Sequence, residues 1–410
     1  MQALGRVAYA PRAPGFKADL GRRRRPALSQ WLICGYAFLL PIQFSGFGSL
    51  RLAPSDVLIA AYALLRLSSL GQVRRAWSIW QVAVVGVVWF AMVTALWRNG
   101  SVEQSSVLAK ALGIVILMIG YACLVDFLTS TQRLQLLLRW FVFGALVNAA
   151  VALAVFALNT GAGIVVPLVN ELYPTSRLAG LLIDPNAFGG LLATALALHL
   201  ITASSRVPLL TGWSSRLADF VLPLALALTF SRSAWIGLAL ATLGVATVRP
   251  RMLATTVRRL WLPVVVGLLL LVNLPGAGDL ASRPGQVTAR LSIGQQAYDE
   301  LLRSPLLGMG LGSFESTHGV VVHNTFLWFL TEMGVVGAFA FGAWMVALVR
   351  RALRVIHGRP GGDATLAVAL LAGFLVGLGV SIGIEAFYQR SWWLMFAGIG
   401  SLYARAATRR

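Results

Sequence analysis

Residues 282–334 read SRPGQVTARLSIGQQAYDELLRSPLLGMGLGSFESTHGVVVHNTFLWFLTEMG, a long polar interruption in a strongly apolar chain. They contain two of the four histidines, His318 and His323, together with Arg283, Arg290 and Arg303. Elsewhere, apolar runs of about 20 residues, long enough to cross a bilayer as a helix, recur along the sequence. We therefore expect most of the chain to lie in lipid and the chemistry to be carried by this polar segment.

Composition places the chain among integral membrane proteins. The mean hydropathy is +0.78 and 12% of the residues are charged, whereas about a quarter are charged in soluble domains. The apolar runs lack the alternating pattern of a membrane barrel, and backbone groups in lipid must be satisfied internally. The predicted fold class is therefore an all-α integral membrane protein with about 12 transmembrane helices.

The hydropathy pattern also predicts how the chain is organised. The predicted segments are a basic cytoplasmic tail (1–27), transmembrane helices 1–9 with short loops (28–275, including a periplasmic loop at 159–179), a long periplasmic loop (276–324), transmembrane helices 10–12 (325–404) and a second cytoplasmic tail (405–410).

The distribution of basic residues predicts the orientation. A net charge of +20 would suggest nucleic-acid binding in a soluble protein, but here the positive-inside rule explains it and no nucleic-acid partner is expected. Most of the 34 Lys and Arg residues fall on the side of the termini, as in Arg74-Arg75 and Arg350-Arg351. Both termini are therefore predicted to be cytoplasmic, with the 276–324 loop on the outer face.

An amphipathic helix is predicted within the long loop, from Val287 to Arg303, with Leu291, Tyr298, Leu301 and Leu302 on one face. Near its start lies Arg290. A helix N-terminus and a guanidinium together favour a phosphate group, although an interfacial arginine touching lipid head groups is the simpler alternative. The run GMGLGSF at 308–314 predicts a flexible turn.

Further polar residues lie beside the predicted spans. Arg232 in TFSRSAWIG and Arg177 in PTSRLAG each face either a cavity or, by snorkelling, the membrane surface. In the sixth span, Asp184-Pro185-Asn186 predicts a helix opened by proline, and a simple kink explains the motif equally well.

Histidine at the outer membrane surface could accept a proton near neutral pH. His323 precedes Asn324 at the mouth of the span HNTFLWFL, where a hydrogen-bonded interfacial histidine is the simpler alternative. His318 lies five residues earlier and lacks a zinc-ligand spacing with it. The acidic residues of the loop form no carboxylate cluster, so neither a metal site nor another cofactor is expected.

Four motifs, in this order, resemble the family of O-antigen ligases and Wzy-type O-antigen polymerases, membrane glycosyltransferases of bacterial envelope polysaccharides. They are RLAGLLIDPNAFGG, SRSAW, the loop helix that ends in SPLLGMGLGSF, and HNTFLWFLTEMGVVG, and together they cover about residues 175–340. The resemblance implies a fold of the GT-C glycosyltransferase type in the bacterial inner membrane and a donor glycan on undecaprenyl diphosphate.

The resemblance also implies roles for single residues. Family roles map onto Arg290 and Arg177 as diphosphate binders and onto His323 as the residue at the acceptor hydroxyl. Arg232 matches the Ser-Arg pair in the SRSAW motif of the family and is a third candidate for diphosphate binding. The supporting candidates are Asn186, Asn324 and His318.

Three functions remain open at this point. The first is metal-independent, inverting transfer of the glycan to lipid A–core by a ligase, and the second is the same transfer to a lipid-linked glycan by a polymerase. The third is a flippase or other transporter of lipid-linked oligosaccharides. A transporter predicts charged residues near the bilayer midplane on several helices, whereas the arginines here concentrate at the predicted outer face.

Overall fold

The computed structural model describes residues 27–43, 53–68, 76–99, 105–162, 164, 177–182, 184–251, 254, 258–259, 265–266, 269, 284–358 and 361–408. Regular secondary structure in these residues is entirely helical, which confirms the all-α prediction. Six of the described helices are long and apolar enough to cross a membrane, as expected for a helical membrane protein. The number of about 12 spans stays a prediction, since most of the span expected at 260–275 lies outside the described residues.

Thirteen α-helices are described. In chain order they are α1 (Leu28–Leu39), α2 (Pro54–Leu65), α3 (Ile79–Asn99), α4 (Ser105–Phe127), α5 (Thr131–Ala162), α6 (Pro185–Ala203), α7 (Gly212–Leu228), α8 (Arg232–Val248), α9 (Pro284–Arg303), α10 (Ser313–His318), α11 (Thr325–Gly358), α12 (Gly362–Val380) and α13 (Arg390–Ala407), with a short 3-10 helix at Ala386–Tyr388.

The centre of the bundle is formed by α6 and α12. Nearly every residue of α6 is buried, from Pro185 to Thr202, and α12 packs against both α6 and α8. Gly237 of α8 and Gly379 of α12 meet so closely that a Cβ atom on either residue would clash with the facing helix. Small residues allow this close approach, as in other membrane helix pairs.

Backbone contacts between loops define one end of the bundle, which we call the His323 end. The N–H of Leu178 donates to the Leu228 carbonyl (3.0 Å), and the N–H of Thr325 donates to the Ser381 carbonyl (2.8 Å). Both contacts bring the loops after α7 and α12 beside residues that the sequence singled out. At the opposite end, Arg351 of α11 donates to the Trp77 carbonyl just before α3 (2.9 Å).

Two helix boundaries differ from the sequence prediction. Pro185 does not open a helix: it is the first residue of α6, and Asp184 caps that helix by accepting a bond from the Asn186 N–H (2.8 Å). Proline suits this position because the first helical N–H has no partner anyway. The loop expected at 159–179 begins later, since α5 continues to Ala162.

The chain turns sharply between α7 and α8. Phe230 is the one non-glycine residue with a positive φ (50°) among the described residues. Such a conformation is costly for a bulky side chain and is concentrated at functional sites. It separates the end of α7 at Leu228 from the start of α8 at Arg232.

A break inside α11 receives the glycine-rich segment after α9. Gly334 has non-helical backbone angles (φ 65°, ψ −169°), which leaves backbone groups on both sides of it without helical partners. Segment 305–310 satisfies them. The bonds run from the N–H groups of Met309 and Gly310 to the carbonyls of Thr331 and Glu332 (3.0 Å each), and from those of Val335 and Val336 to the carbonyls of Pro305 and Leu306 (2.9 and 3.3 Å).

This docking corrects the prediction of a flexible turn at 308–314. Irregular backbone within a membrane helix is tolerated only where its polar groups find partners in the protein. Here a Cβ atom on Gly308 or Gly334 would overlap the facing backbone, so both glycines are required by close approach as well as by positive φ. The GMG run is thus a fixed part of the helix packing.

The amphipathic helix predicted at Val287–Arg303 is confirmed by α9, which begins at Pro284. It packs against α11, where the Thr331 hydroxyl donates to the Ala297 carbonyl (3.3 Å), and both Ala297 and Glu300 are buried. Leu291, Tyr298 and Leu302 are more than half or about half exposed (69%, 50% and 61%). The predicted apolar face is therefore turned away from the bundle.

We predict that Gly334→Ala destabilises the protein by about 1–3 kcal/mol or more, because alanine resists the positive φ and its Cβ would overlap Leu306. Gly342→Ala in the same helix is the matched control, since nothing lies within 4 Å of a Cβ there. Thermal unfolding in detergent measures both. Equal melting temperatures for the two variants would contradict the assigned role of Gly334.

Candidate functional site

Arg177 connects three segments at the His323 end. Its side chain is buried (6% exposed), and its Nε donates to the Thr229 carbonyl (2.8 Å) while Nη2 donates to Oδ1 of Asn186 (2.9 Å). The carboxylate of Asp184 in turn accepts from the Asn186 side-chain amide (3.1 Å). The structure thus brings the predicted residues Arg177 and Asn186 together and adds Asp184, which the sequence had singled out only as part of a kink.

Arg290 reaches the bundle from the loop helix α9. Its Nη1 lies 3.8 Å from a Cβ atom built on Gly383, in the loop that follows α12. The same position would overlap Ser233 of α8 (2.7 Å to its Cβ). Glycine at 383 therefore lets the 381–385 loop approach the start of α8 at Ser233, with the Arg290 guanidinium beside it.

His323 lies in the loop just before α11 and is partly exposed. Burial lowers the pKa of its imidazole below the usual 6.5, the nearby Arg290 guanidinium lowers it further, and the Asp184 carboxylate partly offsets both effects. The Arg290 guanidinium and the Asp184 carboxylate therefore both act electrostatically on the histidine. A neutral imidazole at pH 7 is able to accept a proton.

The other predicted site residues have different positions. Arg232 is the first residue of α8, with an exposed side chain between the buried Ser231 and Ser233. Asn324 caps α11, since its Oδ1 accepts from the Phe326 and Leu327 N–H groups (2.9 and 3.1 Å).

His318 belongs to the contact between α9 and α10. Its Nε2 lies 3.3 Å from Oε1 of Glu300, and its ring packs on Phe314 with 4.6 Å between centroids. These contacts give His318 a packing role beside α9. In the described residues, no group of three or more His, Cys, Asp or Glu side chains is arranged to hold a metal ion.

A buried charge network, which the sequence did not reveal, lies within the bundle. Lys110 of α4 is 3.1 Å from Glu332 of α11 and within 3.9 Å of Glu315 and Glu385. Glu332 is fully buried and also accepts from the Trp328 indole N–H (2.6 Å). Removing one partner of such a pair leaves an uncompensated buried charge, which typically costs about 3–5 kcal/mol.

The network is joined to the candidate site through one short loop. Glu385 ends the 381–385 loop whose Gly383 faces Arg290. Thr325, two residues after His323, holds the same loop: its hydroxyl donates to the Ile384 carbonyl (3.1 Å) and accepts from the Ala386 N–H (2.8 Å). Lys110 therefore helps to fix the positions of both Gly383 and the start of α11.

Part of this network could have been found in the sequence. An acidic residue inside an apolar span, as Glu332 is in FLTEMGVVG, indicates an internal partner by default. The identity of that partner could not be found, because Lys110 is 222 residues away and nothing local marks the pair.

We predict that Glu385→Gln changes the pH dependence of stability. Burial and the neighbouring carboxylates of Glu332 and Glu315 raise the pKa of Glu385 to about 7, against the lowering effect of Lys110. Because the folded state then binds the proton more tightly than the unfolded state, stability should fall as pH rises from about 4.5 to about 7.

Glu385→Gln should lack this fall in stability. Melting temperatures at pH 5 and pH 8 would measure the difference between the variant and wild type. Asp299→Asn is the control, since it removes an exposed carboxylate of α9 that is not among the groups acting on Glu385. If the melting temperature changes with pH in the same way in wild type and in Glu385→Gln, Glu385 is not the source of the pH dependence.

Comparison with known proteins adds independent information. Residues 217–342 match the model of the family described as O-antigen ligase (Wzy_C), whereas no curated protein matches the chain. The matched segment runs from α7 into α11 and includes Arg232, Arg290 and His323. The match supports a function of the O-antigen ligase or polymerase type and agrees with the resemblance seen in the sequence.

Proposed function

We propose that this protein is an inverting glycosyltransferase that moves a glycan from undecaprenyl diphosphate to a sugar hydroxyl at the periplasmic face of the bacterial inner membrane. The acceptor that we propose is lipid A–core, which makes the protein an O-antigen ligase. The observation that carries the proposal is that His323 and Arg290, which act on each other electrostatically, both lie inside the segment that matches this family.

The proposed reaction is a single displacement at the anomeric carbon. The acceptor oxygen forms a bond to that carbon as the carbon–oxygen bond to the diphosphate breaks, and the bonding electrons leave with undecaprenyl diphosphate. The proton of the acceptor hydroxyl goes to the His323 imidazole. Attack from the face opposite the leaving group inverts the configuration.

Arginine supplies the stabilisation that the leaving group needs. Negative charge grows on the diphosphate as the bond breaks, and fixed guanidinium groups stabilise it through charge-assisted hydrogen bonds. In our proposal Arg290 makes this contact directly, with Arg232 at the border of the site. Arg177 already donates two hydrogen bonds within the protein, so its contribution to the diphosphate would come from its charge and from holding Asn186 in place.

Asp184 has a role that follows from its position. It caps α6 and acts electrostatically on His323. A carboxylate near the imidazole stabilises the imidazolium that forms when the histidine takes the proton. The same site therefore contains a base, a group that stabilises its protonated form, and a cation for the leaving group.

A polymerase would use the same chemistry with a lipid-linked glycan as the acceptor, and the transfer experiment below distinguishes the two. Transport is less well supported by the geometry. Of the long loop, the described part (284–324) forms the polar helix α9 and the short α10, neither of which meets the criteria for a membrane span. The buried charges of Lys110 and Glu332 are paired with each other and support the site loop.

We predict that purified wild-type protein in detergent with EDTA transfers glycan from undecaprenyl diphosphate to lipid A–core, detected as a shifted product on a gel. His323→Ala should lower the rate by about 10²–10⁴-fold through loss of the base. Arg290→Ala should lower it by about 10²-fold or more through loss of leaving-group stabilisation.

A matched control comes from the same helix. Arg303→Ala removes an exposed arginine of α9 (side chain 72% exposed) and should keep the wild-type rate. Longer lipid-linked ladders without modified core would make the protein a polymerase. If folded wild type transfers glycan to neither acceptor, the proposal is wrong.

We predict that the transfer rate is independent of pH around neutrality and falls in acid, with a midpoint below 6.5 that reflects the lowered pKa of His323. Asp184→Asn should move this acidic midpoint to lower pH, because it removes the carboxylate that raises the pKa, while asparagine still caps α6. Asp299→Asn on the exposed face of α9 is the control. A midpoint that stays unchanged or rises in Asp184→Asn would exclude this coupling.

A further inference from the structure

A cavity of about 410 Å³ lies at the end of the bundle opposite His323. It is lined by the start of α3, the second half of α11 and α13, and the residues that matter most are Trp77, Trp80, Arg350, Arg351, Arg354 and Tyr403. The positive-inside pattern predicts that this end is cytoplasmic. The proposed transfer reaction uses none of these residues.

Three arginines within two turns of α11 make the cavity strongly positive. In the part of the chain that the structure describes, none of them is in an ion pair with a carboxylate. Arg351 donates to the carbonyls of Ala76 (2.7 Å) and Trp77 (2.9 Å), and its guanidinium lies 5.0 Å from the centre of the Tyr403 ring. It therefore fixes the wall of the cavity.

The other two arginines have guanidinium groups available to a ligand. Arg350 is exposed, and Arg354 is exposed apart from one bond from its Nη1 to the Tyr403 hydroxyl (3.1 Å). The first turn of α3, at Ile79 and Trp80, also lines the cavity. The first N–H groups of a helix lack intrahelical acceptors and favour a negative charge, which adds to the effect of the arginines.

The apolar side of the cavity continues along the outside of the bundle. Trp80 packs edge-on against Phe339 with 5.8 Å between ring centroids, and both side chains are exposed (37% and 67%). Val346, which lines the cavity, and Val336 are also about half exposed. Tryptophan at the level of the head groups, next to an apolar strip on a membrane helix, is typical of contact with lipid.

A second cavity of about 510 Å³ adjoins the first and shares Arg354 and Tyr403 with it. His357 contributes to its lining. The Arg354–Tyr403 pair separates the two cavities, and each cavity has a basic side chain in its wall. The two cavities therefore provide room for two anionic groups a short distance apart.

We propose that this end of the protein binds an anionic phospholipid that carries two phosphates, as cardiolipin does. One phosphate contacts Arg350 and Arg354 in the first cavity, and the other lies in the second cavity beside Arg354 and His357. The acyl chains follow the apolar strip of Phe339 and Val346. Basic pockets between membrane helices are known to hold lipid head groups of this class.

The test uses the full-length protein, purified in detergent and stripped of lipid, with cardiolipin, phosphatidylglycerol, phosphatidylethanolamine or inorganic diphosphate added. Native mass spectrometry counts the bound lipid, and melting temperature reports stabilisation. Cardiolipin should bind wild type and stabilise it more than the other three additions. Arg350→Gln/Arg354→Gln should bind cardiolipin about 30-fold more weakly, and Arg351 is left intact because it holds the chain before α3.

The matched control is Arg206→Gln/Arg216→Gln, which removes two exposed arginines beside the start of α7 and leaves the cavity unchanged. It should bind cardiolipin as wild type does. Melting temperatures without lipid verify that both double variants fold. The proposal is overturned if the two double variants lose equal affinity, if inorganic diphosphate stabilises as well as cardiolipin, or if phosphatidylglycerol binds equally well.

Discussion

The contact between the break in α11 and the segment after α9 is the interaction on which the rest of the site depends. Gly334 interrupts the hydrogen-bond ladder of a membrane helix, and segment 305–310 supplies the missing partners. In lipid no water is available to do so, and each unsatisfied group would cost several kcal/mol. Because α9 leads directly into this segment, the docking sets where Arg290 stands relative to His323 at the start of α11.

The distribution of charge differs between the two ends of the molecule. At the His323 end, positive groups are balanced by Asp184 and by the carboxylates around Lys110, and the 381–385 loop connects the two sets. At the opposite end the arginines of α11 face a cavity without carboxylate partners among the described residues. The first arrangement suits a reaction that needs a neutral base beside a cation, and the second suits a resident anion.

Sequence reasoning predicted the features that are encoded locally or by motif order. The helical membrane fold follows from hydropathy and α9 from its periodicity, whereas the roles of His323 and Arg290, implied by four short motifs, stay predictions. The Asp184-Pro185-Asn186 motif was misread as a kink, although aspartate followed by proline is a signal for a helix start. That error was avoidable.

Other features could not be predicted, for a physical reason. Lys110 and Glu332 meet across helices that are far apart in the chain, and glycine is needed at 383 because a side chain there would overlap Ser233 of α8. The break at Gly334 is equally hidden, since glycine is common in membrane helices and only its partner segment shows that this one is not helical. Such properties depend on three-dimensional packing, which one sequence does not display.

The most direct test of the account is a cryo-electron microscopy structure of the protein with undecaprenyl diphosphate bound, in which the distances from the diphosphate oxygens to the Arg290 guanidinium are measured. We predict at least one oxygen within hydrogen-bonding distance of Arg290, with the His323 imidazole facing the position of the anomeric carbon. A diphosphate that contacts neither residue, or that occupies the arginine cavity at the opposite end, would contradict the proposed site.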